Sequence, residues 1–541
     1  MLYQPTFIDF LVLLAGTYLS LRIIRNLRLR GTTPATPLKG PPNTSPFNIL
    51  GLARRIARAP DTGALLEQWA EEYGSVYQIP AALGTKRVIL TDPKAIAHFY
   101  SHETFGYVQP TFGKMLIENI VGRGLLWAEG EAHKRQRRAI APAFTNAAIR
   151  KVTDVFYDSA YKLKDAWDTI IEAASSDEAI IEVQTWMNHV SLDSIGIAGF
   201  SHDFGSLHGK YSTVANVFDS FSTIQPTLID IIPFILGPIF PFLINIPTER
   251  NRMLRKLNAS MEEISEELLS KTRENWEGED RQLKEEKSLM GVLIKSETTE
   301  SGLRMSKEEV LAQMKVLMLA GYETSSITLT WALIELCRNP QQQTKLREEL
   351  QTQCGAGDPT WEEFTNGLPY LDAVVHETLR HHPPLDQTNR IAAEDDIIPL
   401  SVPLQLSSGV SVDRVSISKG TRVTIPIMAV NRSTSIWGPD AKVFSPERWL
   451  DETNSINKFR AKEIQGHRHL LTFVDGPRTC LGKGFALAEI KAVLSVLIRN
   501  YSFEFRDGPE TQIEKARGIL PRPKVAGESG YGVPLRVRRL R

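Results

Sequence analysis

The sequence predicts a mainly α fold: one large, helix-rich domain with a small β region, plus an N-terminal membrane-anchor helix. Three observations support that expectation. A stretch of helical composition without proline runs from Ser306 until Pro340. Helical periodicity dominates residues 128–339, and β-branched runs broken by turn residues gather in residues 391–430. The chain divides into an anchor at 1–24, a basic and proline-rich hinge at 25–47, and a body at 48–541.

Residues 7–21 form an apolar run with Asp9 as its single charge. Extended over 2–24, it is just long enough to cross a bilayer as a helix. Arg22, Arg25, Arg28 and Arg30 follow at once and place that flank on the cytoplasmic side. A cleavable signal would put basic residues before the run and a small-residue cleavage site after it; neither is evident. An amphipathic or buried helix is the alternative, given Asp9 and the short run. Pro34, Pro37, Pro41, Pro42 and Pro46 make the hinge a stiff spacer. A second apolar stretch, 231–246, contains Pro233, Pro238 and Pro241, which break a spanning helix. An interfacial patch, a substrate-channel lid and core burial are all open for it.

Within the body, residues 268–300 are charged and expected to be exposed. Ser306 and Glu309 form a capping box for the long helix. That helix is roughly 48 Å long at 1.5 Å per residue, and its apolar centre, 316–333, belongs in the core. The centre nevertheless holds Gly321, Glu323 and Thr324. An acid buried there needs a partner. Two readings stay open: Glu323 pairs with a buried arginine, or the helix opens at Gly321 around a ligand that Glu323 and Thr324 face. A shorter helix begins at Pro369 and ends before Pro383, with Glu377 and Arg380 spaced to pair. Strands follow in 391–430, turning at Ser407-Ser408-Gly409 and Lys419-Gly420, and a last helix follows Gly482.

Lysine plus arginine and aspartate plus glutamate each total 63, so a general polyanion binder is excluded. Three cysteines, Cys337, Cys354 and Cys480, support neither a disulfide framework nor a zinc knuckle. An important cysteine therefore acts alone. Cys480 stands in FVDGPRTCLGKGFA, a tight loop feeding a helix N-terminus, where free N–H groups stabilise a thiolate. Gly476 permits a turn, Gly482 lets a flat ligand approach the backbone, and Arg478 can meet an anionic edge.

Phe473, Gly476, Arg478, Cys480 and Gly482 together resemble the haem-binding loop of the cytochrome P-450 superfamily, FxxGxRxCxG. The segment 320–325 resembles its oxygen-activation motif, 377–380 its ExxR, and 446–449 the segment whose Arg448 completes that network. The resemblance spans essentially the whole chain and implies a membrane-anchored, fungal-type haem-thiolate monooxygenase. Cys480 would then ligate the iron of haem b. Glu323 and Thr324 would deliver protons to O2-derived oxygen. Arg478 and Arg390 would meet the haem propionates. Glu377, Arg380 and Arg448 would be structural.

The basic run at 133–138 has two readings. One is a nucleic-acid or targeting patch. The other is the family helix whose W-x-x-x-R pair holds a propionate, with His133 in place of Trp and Arg137 at the matching spacing. A histidine there would make a pH-sensitive contact, and the remaining charges would form a basic face for a redox partner. No complete GxGxxG or P-loop is present, so electrons must come from outside; the resemblance implies a membrane-bound flavoprotein, NADPH-cytochrome reductase. It further implies the endoplasmic reticulum membrane, a single pass and a catalytic domain on the cytoplasmic side, with no nucleic-acid partner. The substrate expected is a hydrophobic terpenoid or sterol-like secondary metabolite, because 193–200 and 398–412 resemble fungal members. A fatty-acid or xenobiotic hydroxylase is the near alternative. An O2-independent haem-thiolate isomerase is disfavoured by the acid–alcohol pair, and a non-catalytic haem carrier by the apolar segments.

Overall fold

In the computed structural model, the residues described are 35–43, 50–210, 240–276, 288–298, 302–355, 357–450 and 459–540, with isolated positions at 16, 17, 20, 233, 236 and 237. The anchor expected at 1–24 lies almost entirely outside them. Among the described residues no helix is long and apolar enough to cross a membrane.

Seven helices build the region around the site: α1 (Gly130–Ile140), α2 (Thr153–Ala173), α3 (Val183–Phe200), α4 (Glu249–Trp276), α5 (Lys307–Arg338), α6 (Pro369–His381) and α7 (Lys483–Asn500). The expected capping box starts α5: Glu309 N–H donates to Ser306 Oγ at 3.2 Å, and Ser306 N–H to Glu309 Oε2 at 3.0 Å. Such a cap contributes about 1 kcal/mol. Glu309 also accepts from Gln136 at 2.8 Å and pairs with Arg135, tying the start of α5 to α1.

Most of α5 is buried, and α3, α4, α6 and α7 pack around it. The helix is continuous through 320–325 and does not open at Gly321. A Cβ at Gly321 would stand 2.7 Å from Ile195 Cγ1, so this glycine is required by the close approach of α3. Residues 268–300 also depart from expectation. Leu268, Leu269, Leu289, Met290 and Leu293 are buried, because both helical pieces of this charged stretch turn one apolar face to the core.

Five strands form the larger sheet: β1 (Val76–Pro80), β2 (Lys86–Leu90), β3 (Tyr107–Val108), β4 (Thr388–Ala392) and β5 (Arg422–Ile425), in the order β1-β2-β5-β4-β3. Of its strands, β5 falls within the expected β region and β4 overlaps the start of that region at Ile391 and Ala392. β1 and β2 pair as a local antiparallel hairpin that packs on Leu66 and Trp69, while β3 is only two residues long. Between β4 and β5, Asp396–Gln405 pairs with Ser411–Ile417 as a hairpin turning at Gly409, where φ is +81°. Near the C-terminus β6 (Ile513–Arg517) and β7 (Pro521–Val525) form a second hairpin, whose turn reaches α5.

The two stretches that suggested a substrate class have structural work. Asp193 accepts from the N–H groups of Ser206 and Leu207 at 3.1 and 2.9 Å. Residues 398–412 make up most of the surface hairpin and its turn.

Candidate active site

The loop presenting Cys480 is closed by its own backbone. Cys480 N–H donates to Phe473 O at 2.9 Å, and the Thr479 hydroxyl donates to Gly476 O at 2.8 Å. Gly476 sits at φ +66°, and a Cβ there would stand 2.3 Å from the carbonyl oxygen of Tyr100, so only glycine fits. Phe473 is buried with its ring edge-on to His467. A Cβ on Gly482 would meet nothing nearer than Phe144 at 3.9 Å, which leaves room for a flat group.

Cys480 is exposed by surface area, yet burial is the leading cause raising its thiol pKa. The Gly482 N–H, Arg137 and Lys483 pull in the other direction. A sulfur both accessible and desolvated lines an enclosed space rather than bulk water. Its proton would leave on binding a metal.

Helix α5 supplies a second accessible wall. Val316, Ala320 and Thr324, spaced four apart, keep accessible surface, whereas Met318, Tyr322 and Glu323 are buried. An accessible stripe on a core helix marks the wall of an internal cavity, and here it is mostly apolar.

Four basic side chains from three segments converge near the cysteine loop. They are His133 and Arg137 of α1, Arg390 of β4, and Arg478. Burial, then Arg478, Arg137 and Arg390, push His133 down to about 4. In the protein alone, burial and three neighbouring arginines thus favour its neutral imidazole. Burial lowers Arg478 to about 10, with Arg390 adding to the effect and Glu103 opposing it. Burial also lowers Arg137, against the attraction of Cys480.

Two acids that the sequence did not point to offset this charge. Glu103, 1% exposed, lies 2.9 Å from Arg390 Nε, and Glu129 Oε1 stands 3.9 Å from Arg478. Arg478 Nη2 donates to Ala128 O at 2.6 Å, while its Nε is buried with no acceptor among the described residues. Clustered guanidiniums and an orphaned N–H fit an anionic edge such as haem propionates supply.

Glu323 and Thr324 go to different partners. The Thr324 hydroxyl donates to Ala320 O at 2.7 Å. Glu323 Oε1 accepts from Leu520 N–H at 3.1 Å and Arg522 Nε at 3.3 Å. Burial raises the Glu323 carboxyl above the usual range, with Arg522, the Leu520 N–H and Arg250 opposing.

Beneath the loop, Glu377 and Arg380 form a two-pronged ion pair, Nε–Oε2 and Nη2–Oε1 both at 2.8 Å. Glu377 also accepts from Ser445 N–H at 2.9 Å and Trp449 Nε1 at 3.0 Å, and Arg448 Nε stands 3.5 Å away. Arg380 donates onward to the carbonyls of Asn431 and Ala441.

The run 133–138 is largely spent inside the protein. Arg135 and Gln136 hold Glu309, while His133 and Arg137 face the basic pocket; Lys134 and Arg138 are exposed. That leaves little of the run for a nucleic acid.

Residues 41–526 match the Cytochrome P-450 family. The chain belongs to that family. Two cytochrome P-450 monooxygenases of Ampulloclitocybe clavipes, claP and claQ, are 57% and 58% identical, each over 98% of this chain and 98% of the relative. Cytochrome P-450 monooxygenase 205 of Postia placenta is 34% identical over 93% of this chain and 92% of its own length. This P-450 is thus an enzyme, an oxidoreductase of the monooxygenase type, and the family implies a haem, O2 and electrons from a redox partner. Cys480 and the basic side chains His133, Arg137, Arg390 and Arg478 are the candidates to hold that haem.

The sequence reading also passed over the buried Glu103 and Glu489 and the partly buried Glu129. Glu103 carries no local signal. Glu129, just before α1, carries none either. Glu489 of α7 has one, being an acid within the mostly apolar 485–498; burial raises it to about 8, with the neighbouring Ser325 of α5 and Ser191 of α3 opposing.

Proposed function

We propose that this P-450 hydroxylates an apolar small molecule, of the terpenoid or sterol-like class, using haem b and electrons from an NADPH-dependent flavoprotein reductase. Cys480 supplies the thiolate ligand, and Arg390, Arg478, Arg137 and His133 hold the propionate edge. The haem, when bound, activates O2 with two electrons so that one oxygen atom enters the substrate and the other leaves as water. Thr324 holds a proton-bearing hydroxyl on the accessible stripe of α5, and Glu323 behind it exchanges protons with water.

The observation that favours an apolar substrate is that stripe, where Val316 and Ala320 offer no polar group but Thr324 does. Residues 1–24 act as a single-pass anchor in the endoplasmic reticulum membrane, with the body on the cytoplasmic side; the four arginines after the apolar run support this orientation. Lys134 and Arg138 belong to the face that meets the reductase.

The test is a spectral titration of the purified haem protein with terpenoids, sterols, fatty acids and drug-like aromatics. A terpenoid or sterol should displace iron-bound water and shift the spin state at the lowest concentration. A response restricted to fatty acids or aromatics would overturn the substrate class. A reduced carbon-monoxide spectrum without the red-shifted Soret band of thiolate ligation would overturn the site itself.

A further inference from the structure

The one acid in the α5 stripe region is held by a strand pair from the far end of the chain. Glu323 is 1% exposed and Arg522, on β7, is 3% exposed. Arg522 Nε and Nη2 both stand 3.3 Å from the same oxygen, Oε1, which also accepts the Leu520 N–H at 3.1 Å. Two hydrogen bonds and an ion-pair contact thus converge on one oxygen. The other oxygen, Oε2, is buried and accepts no hydrogen bond among the described residues.

The grip is itself supported from two sides. The Arg522 guanidinium lies 5.9 Å from the Tyr322 ring, next to Glu323 on α5. Arg250 of α4 donates to Gly518 O at 3.3 Å, fastening the turn that carries the Leu520 N–H. A carboxylate with one oxygen saturated and one left unsatisfied is fixed in orientation and still has a site for a proton or a water.

We propose that Arg522, acting with the 518–520 turn, is the positioning residue for proton delivery: it clamps Glu323 by one oxygen and keeps the other available for proton exchange. This rests on the reading of Glu323 as the proton-exchanging acid. The electron balance makes the role measurable. NADPH supplies two electrons to O2. With protons delivered in step, one oxygen atom enters the substrate and the other becomes water; with delivery out of step, the same two electrons and two protons leave as hydrogen peroxide.

The charged groups facing Glu323 are Arg522 from β7 and Arg250 from α4, with the Leu520 N–H adding a dipole. All favour the ionised form against burial. Removing Arg522 therefore moves protonation of Glu323 to higher pH.

The experiment compares Arg522→Gln, Arg522→Lys, Glu323→Gln and the Arg522→Gln/Glu323→Gln double variant as haem-loaded enzymes. Product and peroxide per NADPH are read from pH 6 to pH 9, that window being a choice of roughly three units around neutrality. The Glu323 carboxyl band is located separately in the resting protein by infrared difference against Glu323→Gln. Glu323→Gln should lower coupled turnover by about a hundredfold. Arg522→Gln, which leaves the acid but frees it, should lose roughly tenfold, with Lys partly restoring it, and should move the infrared titration to higher pH. The double variant should match Glu323→Gln alone.

Failure separates cleanly. Unchanged coupling in Glu323→Gln would overturn the acid's role. A loss in Glu323→Gln with normal coupling and an unmoved infrared titration in Arg522→Gln would overturn the clamp alone. A double variant markedly worse than Glu323→Gln would show Arg522 acting by another route, and would also overturn it.

Discussion

Replacing Glu377 by glutamine should destabilise this P-450 by several kcal/mol, and two independent routes agree on the size. Burial alone would raise the Glu377 carboxyl, but Arg380, with His381 and Arg448, brings it from 4.5 down to about 2. At 1.36 kcal/mol per pH unit, that depression corresponds to on the order of 3 kcal/mol in favour of the charged form. Breaking a buried pair by removing one partner, which strands Arg380 with neither side exposed, costs about 3–5 kcal/mol. The sign fixes the pH window. A depressed carboxyl contributes its full stability above 4.5 and loses it as pH falls from 4.5 through about 2. The assay is thermal and denaturant unfolding of the haem-loaded protein followed by circular dichroism at pH 7. Should Glu377→Gln fail to fold, Trp449→Phe gives a graded version. It deletes the 3.0 Å bond to Oε2, worth about 1.5–3 kcal/mol as a bond to a charged acceptor, and trims the ring contacts with His376 and Trp437. A Trp449→Phe protein within about 0.5 kcal/mol of the parent, or a Glu377→Gln protein within about 1 kcal/mol, would refute the reasoning.

Cys480→Ser should yield protein without the red-shifted carbon-monoxide Soret band and without oxygenase activity, read by reduced difference spectroscopy; a retained band would remove Cys480 as ligand. Gly321→Ala gains roughly 1 kcal/mol of helix propensity but drives a methyl to 2.7 Å from Ile195, so it should be net destabilising by about 1 kcal/mol, and Ile195→Ala should relieve it in a double-mutant cycle. Gly476→Ala should prevent haem retention, measured as haem per polypeptide, because its Cβ meets a backbone carbonyl that cannot step aside. Burial pushes His381 and His382 down to about 3 and about 4. The unfolded chain then takes up two protons that the fold refuses as pH falls from 6.5 towards 4, so stability should decline across that window. Calorimetry with proton-uptake measurement checks it, and a flat profile there would contradict the buried, neutral histidines.

What the sequence discloses follows the range of the interactions. The α5 capping box, the Glu377–Arg380 pair three residues apart, and the Phe473–Gly482 loop are local, so pattern alone reaches them. Phe473 and Cys480 even bond through their backbones within that loop. Strand β3 escaped notice because it is two residues long and its partners lie far along the chain, Tyr107 with Ala392 and Val108 with Ile391. The mixed fate of 133–138 was equally out of reach. Alternate residues of one basic helix go to Glu309, to the arginine pocket and to solvent, and composition cannot sort faces that tertiary packing defines.

Glu323 shows where a sequence argument runs out and what then replaces it. A buried acid in an apolar helix demands a cation, but nothing local names one, and Arg522 stands 199 positions away on a strand whose own sequence looks like surface. The demand does not settle the acid's job either. Pairing with a buried arginine and facing a ligand stood as rivals at the level of sequence, yet a carboxylate has two oxygens and here they differ: one takes two hydrogen bonds and an ion-pair contact, and the other takes none among the described residues. A purely structural acid would be expected to satisfy both, as Glu377 does with four donors across its two oxygens. The asymmetry lets the same residue be anchored and reactive, and the arginine that anchors it is what sets how readily it gives up its proton.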